Sequence, residues 1–487
     1  MNEAVVSLDP SKILHRISPY LHGHFIEHLG SCIYDGIWVG RGSPVATETG
    51  LRTYVVEALG ELRVPVLRWP GGCFADQYHW REGVGPAEQR PSRRNVHWKQ
   101  VENNAFGTEE FMDLCRRLPT EPYLVVNVGS GTVREAADWL EYCNSTEATD
   151  LTRLREQCGS PQPHNVRFWG VGNEPWGCGG NMTPEFYGDW FAQYAAFLRA
   201  TDPHLRLVLA GSHRDLDWDH RLLAHLGKRT RLADYLAVHS YSGRGLWDRD
   251  GTPAKLLRLW RDLATTERFL RQALGLLESQ AGGRGRIGLV LDEWGTGYEE
   301  ARVDNGLAMA NTLADALFAA ASLHLFHELG DGFFMANLAQ TVNVLQCLIL
   351  TDGEVAAKTP TYHAFQLLRP HQGTQRIAFE IDGPKVQLTV GEIDQLSASL
   401  SRNDEGGVWA SFVNRSPTEP LEVRLVDSAG ESIPVAALEI LHAQSLAAEN
   451  LPRRPAQVSP RKIHDGAPHP SLSMPPASIM AGSVVAD

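Results

Sequence analysis

The sequence predicts an α/β fold: a closed (β/α)₈ barrel of the TIM type followed by a C-terminal β-sandwich of jelly-roll-like character. Three observations carry that prediction. Short apolar runs rich in Val, Ile, Leu and aromatics recur eight times, each followed by a polar or glycine-rich stretch and then a segment with helical spacing. Eight is the number that closes a barrel, and no G-x-G-x-x-G turn follows the first run, which disfavours a doubly wound open sheet. After about residue 372 the helical spacing stops and strand-like pieces follow one another.

The eight predicted barrel strands are PYLHGHFIE (19–27), VPVLRWPGG (64–72), EPYLVVNVG (121–129), VRFWGVGNE (166–174), LRLVLAG (205–211), YLAVHSY (235–241), RIGLVLDEW (286–294) and GDGFFMANL (330–338). Helices between them have readable starts: Thr108 before EEFMDLCRRL, Thr132 with Glu135 in capping-box spacing, and Thr183-Pro184 before EFYGDWFAQYAAFLRA. The apolar stretch LAMANTLADALFAAASLHLF (307–326) is interrupted by Asn311, Asp315 and His324, which predicts a buried helix rather than a membrane span. Beyond 372, IAFEIDG, KVQLTV, LSASLSR, GVWASFVNR, LEVRLV and ASIMAGSVVA read as sandwich strands. The proline-rich stretch 452–476 reads as an ordered loop excursion before the last of them.

With 58 acidic against 45 basic residues the net charge is -13, which argues against nucleic acid or an acidic membrane as a partner and suits a neutral, hydroxyl-rich ligand. The seven cysteines form no C-x-x-C pair, so reduced thiols are expected and neither a zinc site nor a disulfide framework. The N-terminus has no basic region leading into an apolar core, so a cytoplasmic location is expected.

In such a barrel, chemistry sits at the C-terminal strand ends. Those ends carry Glu27, Arg68, Asn127, Asn173 with Glu174, His213, His239 with Tyr241, Glu293, and Asn337 with Gln340. Burying so many polar groups without a purpose would be costly. Glu174 precedes Pro175, which predicts extended backbone there. Glu293 follows it by 119 residues, about three βα units, which places the two glutamates on strands expected to face one another across the barrel. Two carboxyl groups aimed into one pocket are what glycoside hydrolysis needs.

The other side chains carry structural as well as binding readings. Arg68 is a counter-ion for Glu293 or a ligand contact, and Asn173 is a turn residue or the partner of a sugar 2-hydroxyl. Glu27 is a ligand for sugar hydroxyls or a partner of His24 or His28. Cys73, after Gly71-Gly72, is a pocket-wall residue. Trp69, Trp98, Trp176 and Trp294 are core, wall or sugar platform. A metal-dependent hydrolase using His24, His213 and His239 and a non-catalytic sugar-binding protein are the competing classes.

Six segments taken together resemble glycoside hydrolase family 51, the α-L-arabinofuranosidases: HGHFIEHLGSCIYDGIW (22–38), LRWPGGCFADQYHWREGVGP (67–86), ENNAFGTEEFMDLC (102–115), GVGNEPWGCGGNMTPEFYGD (170–189), LDEWGTGY (291–298) and FFMANLAQTVNVLQCLILT (333–351). The resemblance implies a retaining, exo-acting hydrolase that releases terminal arabinofuranose from arabino-oligosaccharides or arabinoxylan fragments, with Glu174 as acid/base and Glu293 as nucleophile. It implies sugar contacts from Glu27, Cys73, Asn173, Tyr241 and Gln340, to which Arg68, His239, Trp98 and Trp176 are added as substrate-binding candidates. It further implies a barrel over 15–371, a sandwich over 372–487 completed by residues 1–14, no metal or other cofactor, and a homo-oligomer, hexamers being common in the family. β-Xylosidase or β-glucanase activity on the same scaffold is the alternative. Gly297 and Ser240 stand where related patterns often carry an aromatic, and both changes predict a wider pocket wall.

Overall fold

The computed structural model describes residues 2–283, 285–463 and 468–485. Eight parallel strands close into a barrel: Gly23–Phe25, Val66–Trp69, Glu121–Val126, Phe168–Val171, Arg206–His213, Tyr235–Ser242, Gly288–Thr296 and Phe333–Ala339. Each overlaps its predicted run. The first is shortened because Pro19–His22 form a 3₁₀ turn, leaving three residues of strand. Val66, Tyr123, Val125, Phe168, Val208, Val290 and Met335 fill the barrel interior, so the barrel is a packed core with its chemistry confined to one end.

The ring order corrects one expectation. The fourth and seventh strands are three places apart, with the fifth and sixth between them, and do not lie diametrically opposite. Their glutamates meet because Glu174 stands beyond its strand and reaches toward the sixth, as described below.

Helix starts follow local side-chain chemistry. Thr132 and Thr183 accept from Glu135 N and Phe186 N, as N-caps should. Thr108, by contrast, is already the first helical residue; Gly107 is the cap, and Glu110 accepts its amide at 2.8 Å. The apolar helix Leu313–Leu329 is buried on nearly every side because it lies between the barrel and the C-terminal sheet. Its His324 sits between Ser397 and Ser411, and His327 bonds Ser399.

The C-terminal part is a nine-stranded sheet around its own core, which includes Val6, Leu8, Ile377, Phe412, Leu421 and Met480. The strand Asn2–Arg16 runs in this sheet, antiparallel to Gln375–Asp382 and parallel to Leu421–Val426. Within the proline-rich stretch, Arg461–Lys462 and Leu472–Met474 pair onto the sheet, while residues 464–467 lie outside the described residues. Among the described residues no helix is long and apolar enough to cross a membrane.

Candidate active site

The fourth strand ends at Val171, and three residues later the chain presents Glu174. Its φ is +28°, not the extended value that a following proline favours. This left-handed conformation is a strained position for a side chain other than glycine. Surrounding bonds hold it: Gly177 N and Gly179 N donate to Glu174 O at 2.8 and 3.0 Å, curling the next turn back on the glutamate. A Cβ on Gly179 would lie 2.1 Å from Asn173 O, so that return is open only to glycine. Glu174 Oε1 is 2.8 Å from His239 Nδ1, on the sixth strand.

Glu293 comes from inside the seventh strand, whose register against the sixth shifts between Leu291 and Glu293. Strand neighbours normally alternate faces; the irregularity lets Asp292 and Glu293 both turn toward the barrel axis. Arg68 Nη1 donates to Glu293 Oε1 at 2.8 Å and Tyr241 OH donates to Oε2 at 2.9 Å. A Cβ on Gly72 would stand 2.6 Å from Oε1, and one on Gly71 2.5 Å from Cγ of Glu27, so the glycine pair makes room for both glutamates. Carboxylate oxygens of Glu174 and Glu293, with a ring nitrogen of His239, all lie within 4.8 Å of one another.

Around this pair the charges are linked. Arg68 also donates to Asn173 Oδ1 at 2.7 Å and lies 3.4 Å from Asp292. His239 is 3.0 Å from Asp292 and 3.5 Å from Glu293. Burial opposes a charge on its ring, but the nearby carboxylates of Glu293 and Asp292 outweigh that and hold its pKa well above the ordinary imidazole range. Glu27 accepts from Phe74 N, Trp98 Nε1 and Gln340 Nε2 at 2.9–3.0 Å. Burial, reinforced by the charge of Glu293, pushes its carboxyl up to about 7.

The structure therefore brings Glu27, Arg68, Trp98, Asn173, Glu174, His239, Tyr241, Glu293 and Gln340 into one cluster. Arg68 is completely buried, with Glu293, Asn173 and Asp292 around its guanidinium. Glu27 pairs with neither His24 nor His28: His28 bonds Glu102 and His24 packs on Phe365. Trp176 sits at the rim, donating to Gly211 O and meeting His213 edge-on. Asn127 holds its own loop through Ser130 and Gly131.

Two expectations change and a third holds. Cys73 is not a free thiol; it is disulfide-bonded to Cys178, which ties the segment after the second strand to the Glu174 turn, while Cys32, Cys115, Cys143, Cys158 and Cys347 are free. Ser240 does not widen the pocket, because it faces outward and bonds Thr266 and Arg214. Gly297 does border open space: among the described residues, a Cβ at that position would meet only Leu345 within 4 Å.

Two functional residues escape the sequence reading. Asp292 links Arg68 and His239. Asp76 accepts Val128 N through Oδ1 and Asn173 N through Oδ2, each at 2.9 Å, clamping the ends of the third and fourth strands together. Burial pushes its carboxyl up to about 7. Asp76 lies in FADQ, beyond the predicted second strand, and Asp292 lies beside Glu293 in LDEW, where alternation assigns it to the opposite face.

Two glutamates converging at the C-terminal face of a (β/α)₈ barrel define the class as glycoside hydrolase. Residues 58–246 match the alpha-L-arabinofuranosidase 1 domain and residues 292–478 the alpha-L-arabinofuranosidase C-terminal domain, so each matched stretch holds one of the two glutamates. An intracellular exo-alpha-L-arabinofuranosidase of Bacteroides ovatus is 38% identical over 452 residues, covering 90% of this chain and 87% of that protein. Among solved structures, the family 51 arabinofuranosidase of Xanthomonas axonopodis pv. citri superposes with a TM-score of 0.91 at 32% identity, covering 100% of both chains. The Thermotoga maritima α-L-arabinofuranosidase in complex with arabinose gives 0.84 at 31%, covering 99% of this chain and 100% of that one. The chain belongs to glycoside hydrolase family 51, the α-L-arabinofuranosidases.

Proposed function

We propose that this chain is a retaining, exo-acting α-L-arabinofuranosidase in which Glu293 is the nucleophile and Glu174 the acid/base. The observation that carries the reading is the approach of the two carboxyl groups to within 4.8 Å. Retaining glycosidases hold their carboxyls about 5–5.5 Å apart, whereas inverting ones leave about 6.5–9.5 Å for a water. In the first step Glu293 attacks the anomeric carbon while Glu174 gives its proton to the leaving oxygen. In the second, Glu174 takes a proton from the water that displaces Glu293. Arg68 and Tyr241 fix the two oxygens of Glu293, and Asn173, oriented by Arg68, is placed for the sugar 2-hydroxyl. Glu27, Trp98 and Gln340 wall the glycone end, which favours removal of single terminal sugars. The substrates that fit are arabino-oligosaccharides and arabinoxylan fragments.

Stereochemistry tests this. With an aryl α-L-arabinofuranoside in the presence of methanol, the transfer product should be the methyl α-arabinofuranoside. Glu293→Ala should lose at least about 10⁴-fold in kcat, and azide should rescue it to the inverted β-azide. Glu174→Ala with azide should give the α-azide. Normal turnover by Glu293→Ala would refute the assignment.

A further inference from the structure

A cavity of about 500 Å³ is lined by Tyr241, which also bonds Glu293, and by His213, against which Trp176 packs. Five arginines line it, Arg214, Arg244, Arg258, Arg261 and Arg268, against one acid, Asp262. That excess runs against the charge of the whole chain, whose net is -13. Three of the five, with Asp262, form a single stripe on the helix Pro253–Gln280 at spacings of three, four and ten residues from Arg258, opposite the buried Leu256, Leu259 and Leu263.

The one acid is already committed. Asp262 Oδ1 takes Arg258 at 3.1 Å and Arg261 at 3.4 Å, and Oδ2 accepts Gly243 N at 3.0 Å. Arg214 is fixed by Ser240 Oγ at 2.9 Å and by Tyr241 O, with no carboxylate in contact among the described residues. Arg244 and Arg268 are exposed and form no ion pair among the described residues. The positive charge is therefore left open to a ligand.

Its position relative to the chemistry is defined. Tyr241 OH bonds Glu293, its ring stacks on His213 with centroids 6.2 Å apart, and Trp176, two residues after the acid/base Glu174, meets the other side of that contact. The Trp176–His213–Tyr241 row thus runs from the Glu174 turn to the arginine-lined cavity. Burial and the charges of His239, Arg214 and Arg244 push the His213 pKa down to about 4, leaving a neutral ring as the polar floor of the passage.

We infer that this cavity is an aglycone subsite for an anionic sugar, and that the preferred substrates carry arabinofuranose on a glycan bearing a uronic acid carboxylate. The inference rests on the arabinofuranosidase reading and specifies its substrate class. The test compares an arabinofuranosyl-galacturonic acid disaccharide with its methyl ester, which keeps the shape and removes the charge. At about 20 mM salt the acid should be favoured about tenfold in kcat/KM, and the preference should fall toward unity at about 500 mM salt and in Arg244→Gln/Arg268→Gln. Acid and ester hydrolysed equally well at low salt, or a preference unmoved by salt and by the double variant, overturns the subsite. A neutral aryl α-L-arabinofuranoside run alongside reports on the parent reading, since its failure to react would sink the arabinofuranosidase assignment alone. In that event Kd values for the same acid and ester, read by tryptophan fluorescence, decide the cavity: equal values overturn it, and tighter binding of the acid supports it.

Discussion

Arg68 and Glu293 meet at 2.8 Å with both side chains almost wholly withdrawn from solvent. The same guanidinium reaches Asn173 and lies beside Asp292, so one planar fork fixes Glu293 and the residue that precedes Glu174. Arg68→Gln would leave Glu293 and Asp292 as buried neighbours without their cation. Removing one partner of a buried pair costs about 3–5 kcal/mol, and loosening both glutamates should lower kcat by about 10²-fold. Arg68→Lys restores the charge but not the fork, so it should recover stability more than rate. Urea unfolding with kcat on an aryl arabinofuranoside checks both, and a wild-type-like Arg68→Gln would refute the role.

Glu27 makes stability depend on pH. Its carboxyl is raised from 4.5 to about 7, by burial first and the Glu293 charge second. Between those values the folded chain keeps a proton that the unfolded chain has released. Stability from this group is therefore highest below about pH 4.5 and declines until about pH 7. Glu27→Gln cannot ionise, and Gln340 Oε1, buried without a partner among the described residues, can accept the new amide once the Gln340 amide turns over. The variant should gain on the wild type across that window, by up to about 3 kcal/mol at neutral pH. Unfolding free energies from pH 4 to 8 that run parallel for the two proteins would exclude this.

The disulfide gives a separate prediction. Cys73 and Cys178 are 105 residues apart in sequence, and closing so long a loop restricts the unfolded chain. Such bonds typically contribute about 2–4 kcal/mol. A reductant should lower the Tm of the wild type and leave that of Cys73→Ser/Cys178→Ser unchanged. Because Cys178 follows Glu174 by four residues, kcat should fall in the double variant more than KM rises. An identical response of the two proteins to reductant would show that the bond adds no stability.

These cases mark what the sequence reveals and what it hides. The eight strands are readable because buried parallel strands are continuous apolar runs, and Glu174 and Glu293 because a carboxyl at the tip of such a run has no structural reason to be there. Asp292 escapes notice because alternation assigns it to the face opposite Glu293; the register shift that brings both inward has no composition signature. The same alternation, applied to Ser240, turns it away from His239 and onto the helix Pro253–Gln280, which is why the expected widening of the pocket there fails. The Cys73–Cys178 bond has no local spacing to announce it. The Glu174 backbone departs from the proline rule because the glycine turn behind it supplies the compensating hydrogen bonds.

Asp76 shows what a residue without a sequence signal can do for the reaction. It lies in a 3₁₀ turn after the second strand, and its two oxygens accept the amides of Val128 and Asn173. Asn173 leads directly into Glu174, so the clamp sets where the Glu174 turn begins. Asp76→Asn keeps the shape but presents an NH₂ to one of those amides, leaving a buried N–H without an acceptor. That loss costs about 1–3 kcal/mol, and the freed turn should lower kcat by about 10-fold or more while KM changes little. In the proposed reading the glycone end is walled by Glu27, Trp98 and Gln340, which bond one another while Asp76 bonds Val128 and Asn173, and this is why the effect should divide between kcat and KM in that way. An Asp76→Asn enzyme that lost stability yet kept full kcat would confine the residue to folding; a rise in KM at constant kcat would place its influence on sugar binding instead.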